Sequence, residues 1–389
     1  MYDIGQAEID AVARVIRGGR LMRDFGGTGC VCEQLEKELA KKVGTRYALT
    51  VNSGTSALIC GLVGAGVGPG DEVIVPAYTF MATALAVLAA GGVPVIAEVD
   101  ETLMLDPADV ERKITRHTKA IVPVHMIGRV CDMGSIMRTA RRRKLSVVED
   151  ACQCVGGSYR GRRVCSIGEA GAMSFNWYKN ISCGEGGAVF TDRRGTYERA
   201  LIYQDGALTL YTSAKRPKEA MFAGVKLRFN EILGAVMLVQ VRRLDGILAR
   251  LRARQRAMRE ALAKAGRFTL APSNDLDGDC GSTIPLLFET ARDALAFMDE
   301  HKKAAGLMRP FDTGKHCYWR WEPVLEKRGS HHPGLNPYNF ARRKIEYDED
   351  MCPRSKDIMA RSVVVFVPYK ATVKEARDVA RKLAMGIRH

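Results

Sequence analysis

Lys179 is the residue of this chain whose setting most strongly indicates covalent chemistry. It lies in residues 174–187, between the end of an apolar run and a glycine-rich turn at 184–187. A lysine amine can attack a carbonyl carbon and hold the compound as a Schiff base. Because most lysines are solvated surface groups, this interpretation of Lys179 depends on other residues that would hold such a compound.

A turn that can bind phosphate lies upstream, at Gly54, Thr55 and Ser56. It follows the apolar run 47–51 and leads into the apolar run 57–63, which predicts a strand, a tight turn and the start of a helix. Backbone N–H groups at a helix N-terminus, together with the two hydroxyls, can bind a phosphate. Taken alone, the segment is more simply interpreted as an ordinary helix N-cap.

A carboxylate follows a third apolar run. The predicted strand 146–149 ends next to Asp150, and Gln153 comes shortly after. A carboxylate at a strand end can hold a protonated ring nitrogen, which makes pyridoxal phosphate an electron sink. A helix-capping aspartate is the alternative interpretation of Asp150. The phosphate turn, this carboxylate and Lys179 together supply what a pyridoxal 5'-phosphate site would need.

These motifs, in this order, resemble the DegT/DnrJ/EryC1/StrS sugar aminotransferases, a family of pyridoxal phosphate enzymes. The resemblance runs from about the first helix to the C-terminus. It implies an α/β, aspartate-aminotransferase-like fold (fold type I), with a large, mostly parallel sheet domain and a smaller C-terminal α/β domain. It also implies that Ser53–Ala57, including Gly54, Thr55 and Ser56, wraps the phosphate.

The resemblance assigns roles to five further residues. Phe80, in the motif at 76–83, covers one face of the cofactor ring. Asp150 pairs with the pyridine nitrogen and Gln153 approaches the ring hydroxyl. Ser174 binds phosphate, and Lys179 forms the Schiff base and moves the proton in the transfer.

The chain departs from the family pattern at two positions. Asn176 stands beside the cofactor where many relatives have histidine, and Lys226 stands where the partner subunit of a relative supplies an asparagine to the phosphate. A lysine can still bind phosphate as a point charge, although a solvated loop lysine is an equal alternative. Asn230 is a second candidate for this cofactor contact.

The resemblance implies an aminotransferase that works as a homodimer with shared active sites. Glutamate or glutamine is the implied amino donor, and an anionic keto or aldehyde sugar, nucleotide-linked in the first instance, is the acceptor. Residues 174–187 and 322–333 are also similar to a branch that acts on an oxidised octulosonic acid, which is the alternative acceptor. Dehydratases of the family carry histidine in place of the lysine, so Lys179 argues against that activity.

Residues 309–347 are rich in aromatic, His, Pro and Gly residues, a composition typical of segments that line pockets. By a loose match to the family, His316 and Tyr318 are expected to approach the substrate. Loop packing is the alternative for each histidine. The spacing of His316, His331 and His332 matches no standard metal site, so no metal is predicted.

A chain of 389 residues is long enough for two domains. Apolar runs at 47–51, 72–76, 93–99, 120–124 and 146–149 alternate with helical patterns, which predicts a mostly parallel sheet. We place a large cofactor-binding domain at 1–240, with an N-terminal helix over 4–18. A linking helix over 231–265 leads to a smaller domain at 241–389, whose predicted core is 283–288, 291–303 and 363–367.

The net charge of +15 raises the question of nucleic acid. No nucleic-acid motif or series of stacking aromatic residues accompanies the basic residues of 138–144 and 242–259, so we expect a solvated surface or a funnel for an anionic substrate. The eleven cysteines show no zinc-like spacing, and no signal peptide or twenty-residue apolar span is visible. We therefore expect a soluble cytoplasmic protein with reduced thiols and no membrane partner.

Overall fold

The computed structural model describes residues 3–23, 30–206, 217–304 and 306–385. The elements of the first 150 residues are α1 (Gln6–Gly18), α2 (Val31–Val43), β1 (Tyr47–Val51), α3 (Gly54–Gly64), β2 (Glu72–Pro76), α4 (Ala82–Ala89), β3 (Val93–Ala97), α5 (Pro107–Lys113), β4 (Thr118–Ile121), α6 (Met133–Arg143) and β5 (Ser146–Asp150). The elements that follow are β6 (Ser158–Tyr159), β7 (Arg162–Arg163), β8 (Ala170–Ser174), β9 (Gly187–Thr191), α7 (Arg194–Gln204), α8 (Glu231–Leu262), β10 (Thr269–Leu270), β11 (Thr283–Leu287), α9 (Ala291–Glu300), β12 (Leu307–Met308), α10 (Glu322–Leu325), α11 (Pro353–Ala360), β13 (Ser362–Phe366) and α12 (Val373–Met385).

Seven strands form the central sheet, in the order β1-β9-β8-β5-β4-β2-β3. The pairs from β8 to β3 are parallel, and β9 runs antiparallel to both of its neighbours. Every residue of β2, β3 and β8 is buried, as expected of parallel strands covered by helices, and the antiparallel strand β9 is buried as well. The predicted α/β fold with a mostly parallel sheet is confirmed.

The strand directions bring the predicted site motifs to one edge of this sheet. The carboxyl ends of β1, β2, β5 and β8 lie at that edge, and the reversed strand β9 begins there, opposite Val51 and Ser174. Ligands bind at such an edge in open α/β sheets. The turns that follow these strands are therefore brought together although they are far apart in sequence.

Two predicted strands are shorter than expected. The strand predicted over 120–124 occupies Thr118–Ile121, because Pro123 lacks an N–H group for the ladder. The strand predicted over 93–99 ends at Ala97. Beyond it, the Glu98 N–H donates to the Asp109 carboxylate (2.7 Å) and the Val99 N–H donates to Ser355 Oγ (2.8 Å). Both N–H groups therefore bond to side chains and not to a neighbouring strand.

A second, antiparallel sheet has the order β10-β11-β13-β12 and contains the strands predicted for the smaller domain. The 32-residue helix α8 begins where predicted and ends at Leu262. The Gln240 side chain, on α8, donates to Glu8 (2.8 Å), on α1. The C-terminal helix α12 also packs against α8, so the long helix contacts both the first and the last helix of the described chain. Since α8 is continuous through residue 240, the division into 1–240 and 241–389 remains a prediction.

Candidate active site

The turn after β1 has the geometry of an anion site at a helix N-terminus. Ser53 caps α3, since its Oγ accepts the Ser56 N–H (3.1 Å), and the Ser56 hydroxyl donates to Asn52 Oδ1 (2.6 Å). The N–H groups of the first helical residues, Gly54 and Thr55, have no acceptor within the helix. The helix cap and the anion site therefore coexist, because Ser53 makes the cap and the next two amides remain available for a phosphate.

Gly54 is required by close packing of this turn on the ends of two strands. A Cβ atom on Gly54 would lie 2.6 Å from Ser174 Cβ and 3.0 Å from Cys152 Sγ. Ser174 is the last residue of β8, and Cys152 follows β5. The missing side chain thus brings the phosphate turn, Ser174 and the Asp150 segment within contact of one another.

We predict that Gly54→Ala weakens binding of pyridoxal phosphate by about tenfold or more, because a Cβ contact below 3.0 Å forces the turn away from Ser174. The dissociation constant can be measured by absorbance titration. Gly68→Ala is the matched control, since a Cβ atom there meets nothing within 4 Å. Equal affinities of the two variants would contradict a need for this close packing.

Asp150 is buried at the end of β5, and two donors orient its carboxylate. Thr83 Oγ1 donates to Oδ2 (2.8 Å), and the Cys152 N–H donates to Oδ1 (3.0 Å). The Thr79 hydroxyl lies 2.8 Å from that of Thr83 and extends the chain of hydrogen bonds. A carboxylate held in this way, at the edge where the phosphate turn lies, suits a protonated ring nitrogen.

A buried pair supports the strand that carries Asp150. Glu149 accepts backbone N–H groups from Cys165 (2.9 Å), Ile167 (2.7 Å) and Gly168 (2.8 Å), and its Oε2 lies 3.2 Å from His125 Nε2. The backbone N–H of His125 donates to the backbone carbonyl of Asp150 (2.9 Å). Glu149 therefore anchors the loop before β8, and His125 ties that anchor to Asp150.

Lys179 lies in the loop between β8 and β9, which buried residues hold on both sides. Phe175 is fully buried, and the Asn180 side chain donates to the Val155 carbonyl (3.2 Å). The Lys179 N–H donates to the Asn176 carbonyl (3.1 Å), which closes a turn under the lysine. The backbone of Lys179 is thus fixed while its side chain remains partly exposed.

Electrostatic effects show which groups lie near the Lys179 ammonium. Burial raises the pKa of the Cys152 thiol well above its ordinary value; the Asp150 carboxylate raises it further, and Lys179 opposes the rise. Burial lowers the pKa of His316, a hydrogen bond to the Thr313 carbonyl opposes this, and the charges of Lys179 and Lys315 lower it further. The charge of Lys179 therefore acts on both Cys152, in the Asp150 segment, and His316.

Phe80 and His316 form one wall of the site. Phe80 is 38% exposed, and its ring centroid lies 5.5 Å from that of His316. An antiparallel bridge joins Tyr78 to Cys317, the Thr79 N–H donates to the His316 carbonyl (3.0 Å), and the two segments run side by side. His316 is therefore close to the other predicted site residues.

Tyr318 is placed differently from its predicted role. Its side chain is fully buried, and its hydroxyl donates to the Glu349 carbonyl (2.6 Å) and accepts the Cys352 N–H (3.0 Å). The hydroxyl holds the chain before α11 to residues 315–318, and both of its hydrogen-bonding roles are in use. Tyr318 thus supports the wall from behind, and its contact with the substrate remains a prediction.

The other predicted residues vary in their placement. Gln153 is half-buried after Asp150. Asn176 Oδ1 accepts the Tyr178 N–H (3.1 Å), so this side chain shapes the lysine turn. Lys226 is exposed, and its backbone forms an isolated antiparallel β-bridge with Asp205. Asn230 Oδ1 caps α8 by accepting the Leu233 N–H (3.0 Å). The proposed contacts of Lys226 and Asn230 with a partner's cofactor remain predictions.

Sequence reasoning gave no role to Thr83, although it stands in the same motif as Phe80. A hydroxyl four residues after Thr79, at the start of a helix that follows a strand end, was the available signal. Lys315 was also missed. Its Nζ lies 5.7 Å from the centroid of the Phe80 ring, which only the pairing of two distant segments reveals.

The described residues hold neither a cluster of metal-binding side chains nor a membrane-spanning helix. Residues 3–23, 30–206, 217–304 and 306–385 contain no group of three or more His, Cys, Asp or Glu side chains placed to hold a metal ion. Among the helices of these same ranges, none combines the length and the apolar character needed to span a bilayer.

The sequence profile of the DegT/DnrJ/EryC1/StrS aminotransferase family matches residues 2–309. The spore coat polysaccharide biosynthesis protein SpsC of Bacillus subtilis (strain 168) is 38% identical over 254 residues, which cover 64% of each chain. GDP-perosamine synthase of Caulobacter vibrioides is 37% identical over 249 residues, or 63% of this chain and 65% of that protein. The matched region thus spans just under two thirds of each relative.

Two solved structures resemble the whole chain. 3-Amino-5-hydroxybenzoic acid synthase superimposes with a TM-score of 0.81 at 28% identity, covering 98% of this chain and 96% of that one. NtdA from Bacillus subtilis, solved with its cofactor PMP bound, gives a TM-score of 0.76 at 25% identity, covering 98% and 82%. The fold and the family predicted from the motifs are both confirmed, and the chain belongs to the DegT/DnrJ/EryC1/StrS aminotransferase family.

Proposed function

We propose that this protein is a pyridoxal phosphate-dependent sugar aminotransferase. The observation that carries the proposal is the convergence of three groups at one sheet edge. Gly54, at the start of α3, packs against Cys152 and Ser174, the Cys152 N–H donates to the Asp150 carboxylate, and the Asn176 N–H, in the turn that carries Lys179, donates to Ser174 Oγ (3.4 Å). Each group matches one part of the cofactor.

The residues at this edge fit pyridoxal phosphate. Gly54, Thr55 and Ser174 would hold the phosphate, Asp150 the ring nitrogen and Lys179 the aldehyde carbon, with Phe80 over one ring face. The close approach of Gly54 to Ser174 supports this fit, because it shapes a backbone cradle that a Cβ atom would fill. When bound, the cofactor supplies an electron sink that stabilises negative charge on the carbon of an attached amine.

The chain itself supplies the proton transfers and the orientation. Lys179 Nζ, once free, takes the proton from the α-carbon of the amino donor and later returns one to the acceptor carbon. Asp150, held by Thr83 and the Cys152 N–H, keeps a positive charge on the ring nitrogen throughout. The Phe80 and His316 wall restricts the substrate to the side of the site that faces Lys179.

We propose glutamate or glutamine as the amino donor and a nucleotide-linked keto or aldehyde sugar as the acceptor. The similarity to GDP-perosamine synthase supports a nucleotide-linked acceptor. The oxidised octulosonate is the second candidate for the acceptor, and the similarity of residues 174–187 and 322–333 to that branch supports it as the alternative.

We also propose a homodimer with shared active sites. Trp177 and Tyr178 lie directly before Lys179 and are 64% and 74% exposed, which is unusual for aromatic residues beside an active site. Ile9 and Ile16, on α1, are also exposed. A second copy of the chain that covers these surfaces would place its own residues at the Lys179 site.

The test is the donor half of the reaction, followed by a panel of acceptors. With pyridoxal phosphate bound and no acceptor, we expect glutamate to yield 2-oxoglutarate, or glutamine its keto acid, in an amount equal to that of the protein. Adding ¹⁵N-glutamate and an acceptor should then label either a nucleotide-linked 4-keto sugar or an octulosonate aldehyde, detected by mass spectrometry. If neither donor yields its keto acid, aminotransfer is the wrong function.

A further inference from the structure

We propose that Lys315 binds an anionic group of the acceptor at the mouth of the Lys179 site. This inference rests on the proposed function, because it concerns the acceptor of the same site. It assigns recognition of the phosphate or carboxylate of that acceptor to one side chain, because a lysine binds such groups as a compact point charge.

The backbone of Lys315 is fixed beside the cofactor wall. Its carbonyl accepts the Met81 N–H (2.9 Å) and the Trp321 Nε1–H (3.1 Å), and the next carbonyl, of His316, accepts the Thr79 N–H (3.0 Å). Two of the donors, Thr79 and Met81, are the residues directly before and after Phe80 in the sequence. The side chain of Lys315 therefore starts from a rigid point, although it is itself exposed.

The Lys315 side chain lies against the same ring as His316. Its Nζ is 5.7 Å from the centroid of Phe80, a cation–π distance, and the His316 ring is 5.5 Å from that centroid. Phe80 is the residue proposed to cover the cofactor. A substrate that reaches Lys179 past this wall thus passes the Lys315 ammonium.

Neighbouring carboxylates do not neutralise Lys315. None of the ion pairs formed among the described residues includes it, and Asp312, in the same segment, is paired with Arg309 through two contacts of 2.6 and 2.7 Å. Asp150 is occupied by Thr83 and the Cys152 N–H. The positive charges of Lys315 and Lys179 also act together on the pKa of His316. The mouth of the site therefore has an excess of positive charge.

The experiment is calorimetric titration of the protein loaded with pyridoxal phosphate. GDP serves as the diphosphate probe, gluconate as the sugar carboxylate probe and glucose as the neutral probe. We expect Lys315→Ala to weaken binding of at least one anion by about tenfold, the effect of one hydrogen bond to a charged group. Lys315→Arg should retain most of the affinity, and glucose binding should not change.

The control variant is Arg320→Ala. Arg320 is an exposed cation of the same segment, but it lines a separate cavity of about 390 Å³ with Trp319, Glu322 and Tyr347. A selective loss for GDP would indicate a phosphate group on the acceptor, and a selective loss for gluconate a carboxylate. Retention of the visible cofactor band by Lys315→Ala would show that the variant is folded and loaded.

Two results would overturn the proposal. The first is unchanged affinity of Lys315→Ala for both anions, and the second is binding of neither anion by the wild-type protein. Anion binding is measured without a donor, so a failure of the proposed aminotransfer would appear separately, as wild-type protein that binds the anions but forms no 2-oxoglutarate.

Discussion

Replacing Lys179 with alanine is expected to lower the rate of amino transfer by about 10³- to 10⁴-fold, the upper range for loss of a general acid–base group, and to abolish covalent attachment of the cofactor. The reason is that Lys179 Nζ is proposed both to form the bond to the aldehyde carbon and to carry the proton. The measurement is 2-oxoglutarate release together with an absorbance scan, in which the visible band of lysine-bound cofactor should be absent from the variant.

The attachment itself can be located directly. Reduction of the loaded wild-type protein with borohydride, followed by peptide mass spectrometry, should place the cofactor mass on Lys179, and Lys179→Ala should carry none. Lys179→Arg keeps the charge but cannot form the bond, so it should fail in the same way. Lys119→Ala, which alters an exposed lysine of β4, is the control. Cofactor found on another lysine in wild-type protein would contradict the assignment.

The second large effect is expected at Asp150. Asp150→Asn should lower kcat/KM by about 10²- to 10³-fold at saturating cofactor, the range for removing one preorganised electrostatic group. Asparagine has nearly the same shape, and its amide can still accept the Cys152 N–H and donate to Thr83 Oγ1, so the local hydrogen bonds survive. Only the negative charge that faces the ring nitrogen is lost.

Asp132→Asn is a suitable control for this variant. Asp132 caps α6 through the Ser135 N–H (3.1 Å), and asparagine serves almost equally well at an N-cap. The control should keep wild-type kcat/KM, and both variants should keep the visible band, since Lys179 is intact. Activity of Asp150→Asn within tenfold of wild type would mean that this carboxylate does not hold the ring nitrogen.

Much of the site was predictable because its residues follow strands. Gly54, Asp150 and Ser174 each stand at or just beyond the end of an apolar run, and a parallel sheet brings such ends together. The strands β1 and β2 were also predicted with the observed bounds. Local patterns of this kind depend on neighbouring residues alone, so they can be read without knowledge of the rest of the chain.

The surroundings of residues 315–318 could not be predicted from a loose family match. Tyr318 was expected near the substrate, but the hydroxyl is used by Glu349 and Cys352, more than thirty residues away. Nothing in the sequence of residues 315–318 shows that the His316 side chain lies beside Phe80 whereas the Tyr318 side chain is buried. The direction of each side chain was settled by the antiparallel bridge between Tyr78 and Cys317.

The sequence by itself determined the cofactor class, the family and the order of the strand-end motifs, because each depends on a short run of residues with its own chemistry. The tertiary structure decided how those motifs support one another. Thr83 reaches Asp150 from 67 residues away, Gly54 packs on Ser174, and Lys315 lies over Phe80. Contacts between residues so distant leave no periodic pattern in the chain, since only the packing of the sheet edge against residues 315–318 brings them together.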